Sequence, residues 1–591
     1  MGVCPPPTPP NQHTFVFRHA LAHLACRPDR VPKPDPNISK LEDKLVSDSK
    51  PRGSSASDLA EQTAKLSVGG DDGGPPIQFP WRPAYGSKGV ATNVRANSFV
   101  LKVKEQDLYK YSITVTRKPA EGTPDDDQEV GRRDLRKVIE LLLQHVKLLP
   151  AATEFKSHLI TAQPFDNSGT IPIAYTKPGH RSPKQFNVSL DGPNRISVAS
   201  LMQWLKDMCD PNDPTDQVFP KFPDAMDALG AIVSYTARSR NPEAQVAVVG
   251  QRILPLDLPS EMRNLDSAGM KTQSMYNALR GYFQSVRPAT GRFLLNVNVA
   301  HGVVRKTGKI SGLLEHCGLD VMDLKSWSVE DTKQYAKRLR DLSRELSRTR
   351  IRTEMHDDKD QPIMVERTIY SLATKGEGLE TTRFTAGFPF AGPRQCHILV
   401  RLSTRDAAED TGLAADTWET VEEYHRRRYG RILNPRFPLV NTGTRQRPCY
   451  IAAERCEIVQ GQHLSGKLPG PDNKEMLSFA CRSPAENQTS ISTMGRQVLG
   501  LDDNPVLRAF GLSVDQELVT VQSRILSCPM VMYKNMNNPK QNTTVLAYEG
   551  GWNMKGVRVF KPGRPVKSWL WVQCSRRTAR AAASAEMSDR P

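Results

Sequence analysis

From residue 95 the chain reads RANSFVLKVKEQDLYKYSITVTRK, and its apolar residues fall on alternate positions. Phe99, Leu101 and Val103 form one run, and Tyr109, Tyr111, Ile113 and Val115 form the next. Period-two alternation predicts two strands, each with one buried face. The polar EQD at 105–107 between them predicts a hairpin turn. RRDLRKVIELLLQHVKLLP (132–150) switches to helical spacing and stops at Pro150. FNVSL (186–190) and RISVASL (195–201) read as a second strand-rich region leading into a helix. GYFQSVRPATGRFLLNVNVAHGVV (281–304) predicts two strands joined by the turn RPATG.

Residues 328–350 carry the spacing of a charged helix, with Ser328 as N-cap and Asp331 closing a capping box. Residues 362–403 hold short apolar segments broken by Gly and Pro, as a small β-rich domain would. TWETVEEYHRRRYG (417–430) reads as a short helix that ends at Gly430, a residue suited to the position after a helix. KEMLSFACRS (474–483) is helical in pattern, and SRILSCPMVMY and GGWNMKGVRVF (523–560) follow. Residues 1 to about 92, with PRGSSASDL and GGDDGGPP, lack apolar periodicity and are expected to be disordered. The last stretch, SRRTARAAASAEMSDRP, has no apolar face and is expected to be a tail without a core. No repeat of solenoid length is present.

Composition sharpens this picture. A chain of 591 residues is too long for one core and implies three to five domains. Its formal net charge of +17 favours a polyanionic partner such as nucleic acid, or an anionic membrane surface. No run of roughly 18 apolar residues is present, so no membrane partner is expected. MGVCPPPTPP lacks the charged and apolar regions of a secretory signal, and Pro6 stands where a myristoylation motif has Ser or Thr. Ten cysteines occur without a C-x-x-C pair, and the nearest two, Cys449 and Cys456, do not have zinc half-site spacing. Free thiols in a reducing compartment, cytoplasmic and also nuclear, are the expectation.

Familiar catalytic patterns are few. GVVRKTGKI (302–310) approaches a phosphate-binding loop but has five residues between its glycines, and Ile310 stands where Ser or Thr would hold magnesium. The acids at 125–127 read as a solvated turn. His356, His397 and Cys396 could bind zinc but lack motif spacing. The stronger signal is EEYHRRRYG (422–430). Phenol and imidazole groups can donate to a phosphate oxygen, guanidiniums add bidentate charge-assisted bonds, and a ring can stack on a base. Helical spacing sets Tyr424 beside Arg428 and His425 beside Tyr429. From these residues alone, an amphipathic helix with Tyr424 as core and solvated arginines stands as the other reading.

TVEEYHRRRYGRILNPRFPLVNTGTRQRPCYIAAERCEIVQGQ (420–462) resembles the C-terminal part of a PAZ domain of eukaryotic Argonaute proteins. The shared frame is Y-x-x-x-x-Y, N-P-x-x-P-L, then Y-[IL]-x-x-E-x-C-x-I-x-x-G-Q. RANSF with LYKYSITV resembles the opening of the family's N domain, and GYFQSVRPATGRFLLNVNV resembles the linker before PAZ, with Asn298 where the family usually has Asp. SRILSCPMVMY and GGWNMKGVRVF resemble the second linker, and SWLWV (568–572) its sequel. The Pro-rich head and long insertions are more like fungal members.

The resemblance implies an α+β multidomain chain. Residues 1–92 would be a disordered head, 93–248 a mixed α/β N domain and 249–305 the first linker. Residues 306–465 would form a small OB-like β-barrel PAZ domain with a helical insert, and 466–560 a second α/β linker. Residues 561–591 would be the start of a Mid domain and an unrelated tail. A Mid domain and a slicing Piwi domain are expected to be lacking, so no enzymatic activity, metal or cofactor is expected. By resemblance, Tyr424 and Tyr429 contact the last phosphodiester of a guide RNA, and Arg428 is the basic residue between them. His425 falls where relatives carry an aromatic. Arg367 matches a strand arginine, Phe384 a ring flanking the terminal base, His356 a phosphate-binding histidine and Ile451 an apolar lining position. The implied partners are single-stranded small RNA or a duplex with a 3′ overhang, together with silencing-complex proteins. Two other readings stay open: an Argonaute-like scaffold or decoy with no direct RNA role, and a nuclease built on an unrecognised carboxylate cluster.

Overall fold

The computed structural model describes residues 31–48, 88–117, 130–146, 150–165, 169–176, 183–206, 222–240, 245–265, 274–320, 328–356, 362–378, 380–384, 389–400, 417–464, 466–468, 470–538, 540–548, 550–560, 563 and 568–570. The acids at 125–127, the tail from 575 and most of the head lie outside them. The chain divides into two units: residues up to 84 with 93–522, and residues 85–92 with 523–591.

The first unit is built on a seven-stranded sheet. Its order is Leu512–Ile525, Val90–Val103, Arg292–Arg305, Tyr276–Ala289, Arg252–Pro255, Val246–Val249, with Met262–Asn264 also on Tyr276–Ala289. The two long central strands are the pair expected at 281–304. They run antiparallel from Tyr276↔Arg305 to Ala289↔Arg292, and Gly291 turns the chain at φ 64°. Phe99, Leu101, Tyr282, Leu295 and Val297 meet the buried stripe of the helix Pro223–Ser239, which carries Ala228, Leu229, Ile232 and Val233.

A five-stranded sheet stands beside it, in the order Ala151–Thr153, His158–Thr161, Asp107–Arg117, Lys184–Ser197, Thr170–Tyr175. Tyr111, Ile113, Phe186 and Val188 pack there on Val138, Ile139 and Leu142 of the helix Arg132–Val146. The expected hairpin at EQD is therefore not formed. The strands before and after it belong to different sheets; Leu108 still joins the core of Phe99 and Leu101, while Tyr111 and Ile113 enter a second core. The turn is tied outward instead, Lys104 N donating to Gly511 O and Gln106 Nε2 to Phe510 O. Alternation reports a buried face but not which partner covers it, and Asp107–Arg117 pairs with the distant Lys184–Ser197.

Two other expectations change. Residues 36–48, inside the stretch expected to be disordered, form a helix, and Ile38 and Leu41 lie against Gly291 of the central turn. FNVSL and RIS are one continuous strand, and the helix that follows starts at Val198.

Residues 308–458 hold the remaining sheets of this unit. One has the order Gly308–Lys309, Glu457–Ile458, Arg350–His356, Pro362–Thr368. Two three-stranded sheets follow: Ser371–Leu372, Val440–Asn441, Tyr450–Ile451, and Thr382–Phe384, Cys396–Val400, Thr417–Thr420. The helix Val329–Leu346 has Ser328 as its N-cap, accepting from Asp331 N, but the expected capping box is not closed: the Asp331 carboxylate accepts from the Ser328 hydroxyl at 2.6 Å instead of from its N–H, and the helix ends before 350. Arg348 takes a left-handed φ of 65° and Arg350 opens a strand. GVVRKTGKI is no phosphate cradle: Ile310 is fully buried at the start of the helix Ile310–His316.

The second unit carries a sheet of Asn542–Leu546, Met530–Asn535 and Val557–Arg558. Trp552 Nε1 donates to the Tyr533 hydroxyl at 2.8 Å, and Lys534 lies 5.5 Å above the Phe560 ring.

Candidate nucleic-acid interface

The helix Val421–Tyr429 is short, so its ends decide its shape. Thr420 accepts from Glu423 N while the Glu423 side chain accepts from Thr420 N, a complete capping box. That bonding holds the Glu423 carboxyl below its usual range, with help from His397 and Arg426. Gly430 ends the helix at φ 60°, and its N–H donates to Arg426 O. The expected helix over 417–430 is thus shorter by four residues at its start. Thr417–Thr420 is a strand, with Trp418 opposite Leu399.

Three rings converge on this helix. Tyr424 and Tyr429 lie 6.1 Å apart at 84°, Tyr424 and His425 6.0 Å apart at 80°, and His425 and Tyr429 5.2 Å apart at 52°. Edge-to-face packing of this kind is favourable and fixes ring direction. Burial pushes the Tyr424 phenol up to about 12, and its charge interaction and hydrogen bond with Tyr429 push the same way, against Arg428 and Arg427. Tyr424 is therefore a neutral donor at ordinary pH. His425 is 9% exposed, so it supports the rings from behind.

The three arginines have separate fates. Arg427 makes two bonds to Glu419, at 3.0 and 2.9 Å. Arg426 reaches Glu422 at 3.3 Å, which also takes Arg394 at 2.8 Å. Both arginines are engaged by acids. Arg428 lies 6.0 Å from the Tyr429 ring centre and stays exposed.

The remaining candidates lie on other elements. Arg431, just past the helix, bonds Glu354 at 2.9 Å, and Glu354 sits opposite Met364. The helix end is thereby joined to the strand pair that carries Arg367. Arg367 lies opposite Ile351, and its Nη2 meets the Met355 sulfur at 3.8 Å. A thioether is a weak acceptor for a cation. His356 ends the strand Arg350–His356, opposite Pro362.

Phe384 packs with Val421, Cys396, Leu433 and Tyr450 in one small core, so the helix start and this ring share a floor. Its ring meets Tyr450 edge-on at 6.5 Å. Ile451 is only 7% exposed and belongs to the larger core with Leu372, Phe390 and Val440, so it backs the floor instead of lining an opening. The zinc alternative does not assemble. Cys396 is buried, its thiol pushed up to about 12 mainly by burial. His397 follows it in the strand and faces the other side of the sheet. Among the described residues no group of three or more His, Cys, Asp or Glu could hold a metal ion.

Sequence reading misses the residue that organises this floor. Glu377 is 3% exposed, and its partners are neutral donors. It accepts from Ser371 Oγ at 2.6 Å, Thr374 Oγ1 at 2.9 Å, Asn441 Nδ2 at 3.1 Å and the Tyr450 hydroxyl at 3.1 Å. Burial, then the Glu377 charge, raises the Tyr450 phenol above its ordinary value. Nothing in KGEGLE marks that acid as buried. The pairing of Glu422 with Arg426 is visible in the i, i+4 spacing.

Comparison with known proteins adds the following. The family model described as the N-terminal domain of argonaute matches residues 90–233. The Argonaute linker 1 domain matches 263–306 and the Argonaute linker 2 domain 486–533. Protein argonaute 1D of Oryza sativa subsp. japonica is 25% identical over 524 residues, covering 86% of this chain. The chain spans 43% of that relative's length. Among solved structures, Kluyveromyces polysporus Argonaute with a guide RNA is 15% identical with a TM-score of 0.47, over 84% of this chain and 52% of that one. Drosophila Piwi is 15% identical with a TM-score of 0.33, over 78% and 46%.

Proposed function

We propose that this Argonaute-family chain, with its N-terminal, linker 1 and linker 2 domains, holds the 3′ end of a small guide RNA in a PAZ-like region between 306 and 465. The converging rings of Tyr424, His425 and Tyr429 carry this reading. Tyr424 bonds to Tyr429, and the Tyr429 hydroxyl donates a hydrogen bond to the terminal phosphodiester, a short chain in which each bond strengthens the next. Arg428 supplies charge beside it, and Arg367 exchanges its thioether contact for an anion. Phe384 offers a ring to the last base. These groups grip backbone and ring faces, so they take an end of any sequence. Phenols, guanidiniums and rings of this kind hold a phosphodiester; no cleavage step is assigned to them.

The test uses the full chain and fluorescence anisotropy. Short single-stranded RNA with a free 3′ hydroxyl is compared with the same RNA bearing a bulky 3′ cap. The variant combines Tyr424→Phe with Tyr429→Phe, which keeps both rings and removes both hydroxyls. Charge-assisted bonds contribute about 1.5–3 kcal/mol, so the free end should bind about tenfold more weakly or worse. The capped RNA should bind weakly to both proteins. Unchanged affinity in the variant, or equal binding of capped and free ends, would sink the assignment. No affinity for either RNA would favour an Argonaute-like scaffold or decoy.

A further inference from the structure

The helix Val329–Leu346 carries a second basic surface of a different kind. Lys333, Lys337, Arg340 and Arg344 follow one another at steps of four, three and four residues. At 3.6 residues per turn these positions fall within an arc of about 60°, along roughly 16 Å of helix. The opposite face is fixed: Tyr335, Ala336, Leu339, Leu342, Ser343 and Leu346 are buried. Ser343 Oγ also accepts from Leu372 N at 2.9 Å, so the helix cannot roll and the cations are held outward.

Little offsets this charge. Glu330 and Asp331 sit in the first turn, where the helix dipole favours both and the Ser328 hydroxyl bonds Asp331. Asp341, 3.2 Å from Arg344, is the acid that reaches into the strip. Among the described residues Lys333, Lys337 and Arg340 have no ion pair. Three successive like-charged neighbours at i+4, i+3 and i+4 repel one another. A helix selected only for its own stability would interleave acids along this strip.

We propose that this strip is a docking rail for the phosphate backbone of double-stranded RNA. The occupant follows from charge and stiffness. A duplex is stiff and densely charged, in DNA about one charge per 1.7 Å of axis with both strands counted, whereas a single strand would have to be straightened onto the helix. Lysine and arginine ends along a straight line read backbone and not bases. The rail recognises no end, so it stands independently of the 3′-end site.

The test uses the full chain and a blunt RNA duplex with bulky caps on both 3′ ends, which excludes end recognition. The variant combines Lys333→Ser, Lys337→Ser, Arg340→Gln and Arg344→Gln, all on the exposed face. Circular dichroism melts check that it folds. Each neutralised phosphate contributes about 0.9 to the slope of log affinity against log salt, so the slope should become shallower by about 3 to 4. The charge-conserving pair Lys333→Arg with Lys337→Arg should keep the original slope, and the Tyr424→Phe, Tyr429→Phe protein should bind the capped duplex normally. An unchanged slope in the fourfold variant overturns the rail. A loss seen on single-stranded RNA but not on the duplex overturns the assigned occupant. Equal loss on polyglutamate overturns it in favour of an acidic protein.

Discussion

Two helices in the first unit look alike as strings and differ in how their charges are used. EEYHRRRYG and KQYAKRLRDLSR both place arginines on a short amphipathic run. In the helix Val421–Tyr429, Glu419 takes Arg427, and Glu422 takes Arg426 and Arg394. In the helix Val329–Leu346, three cations in line meet no acid among the described residues. The first arrangement spends its charge on shape: paired arginines brace the helix so that Tyr424 and Tyr429 point where they do. The second leaves its charge facing outward, where a polyanion can use it. A count of basic residues would not separate the two.

The sharpest way to break this contrast is to free the braced arginines. Glu422 is 6% exposed and serves two guanidiniums, whose side chains are 58% and 57% exposed. Glu422→Ala leaves both able to turn to water, so the cost is that of the broken bonds and not of a stranded charge. About 2 kcal/mol of stability should disappear in urea unfolding. The freed Arg394 and Arg426 should also steepen the salt dependence of RNA binding. A variant that melts like the parent would mean that the pairs do not brace the helix.

A smaller effect is expected at the other end of the same helix. Gly430 has a φ of 60°, and an added Cβ would meet nothing within 4 Å. Gly430→Ala should therefore cost only the conformational penalty, about 1 kcal/mol. It should loosen the last turn, and with it Tyr429, so 3′-end discrimination should fall more than stability. Equal losses in both would point to general unfolding of the helix.

How much of this is legible in the sequence depends on whether a signal is local. The capping residues Ser328 and Gly430, the turn at Gly291 and the i, i+4 pair of Glu422 and Arg426 all act over a few residues, and their spacing states them. The partner of a strand is not local. Phe99 and Tyr111 share one alternating pattern yet enter separate cores, because each strand pairs with segments far away in the chain, Phe99 opposite Leu295 and Tyr111 opposite Leu159. The helix Pro36–Asp48 does carry a helical signal, Ile38, Leu41 and Leu45 at i, i+3 and i+7, but the Pro- and Ser-rich composition around it hides so short a run. Within the site, Tyr424 and Tyr429 are readable as a pair, whereas Ile451 reads as lining and is core. Glu377 carries no signal of burial, since Ser371 and Thr374 are close in sequence but Asn441 and Tyr450, which complete its bonding, lie 64 and 73 residues away.

The smallest expected effect separates the two helices most cleanly, because stability and binding should move in opposite directions. Arg340 stands three residues after Lys337 and four before Arg344, with no acid at either spacing. Arg340→Glu turns two repulsive pairs into two attractive ones, and the pair with Arg344 has the favourable order, acid before base. Each such pair is worth about 0.2–0.5 kcal/mol and its reversal twice that, so at the low end expected on an exposed face the two reversals should gain a little under about 1 kcal/mol in chemical unfolding. The salt slope for a capped RNA duplex should meanwhile fall by about 1, the share of a single phosphate. At Glu422 the same substitution logic runs the other way, with stability reduced and non-specific RNA affinity raised. If Arg340→Glu instead destabilised the chain, the strip would be bracing the fold after all, and the two helices would be using their charge for the same purpose.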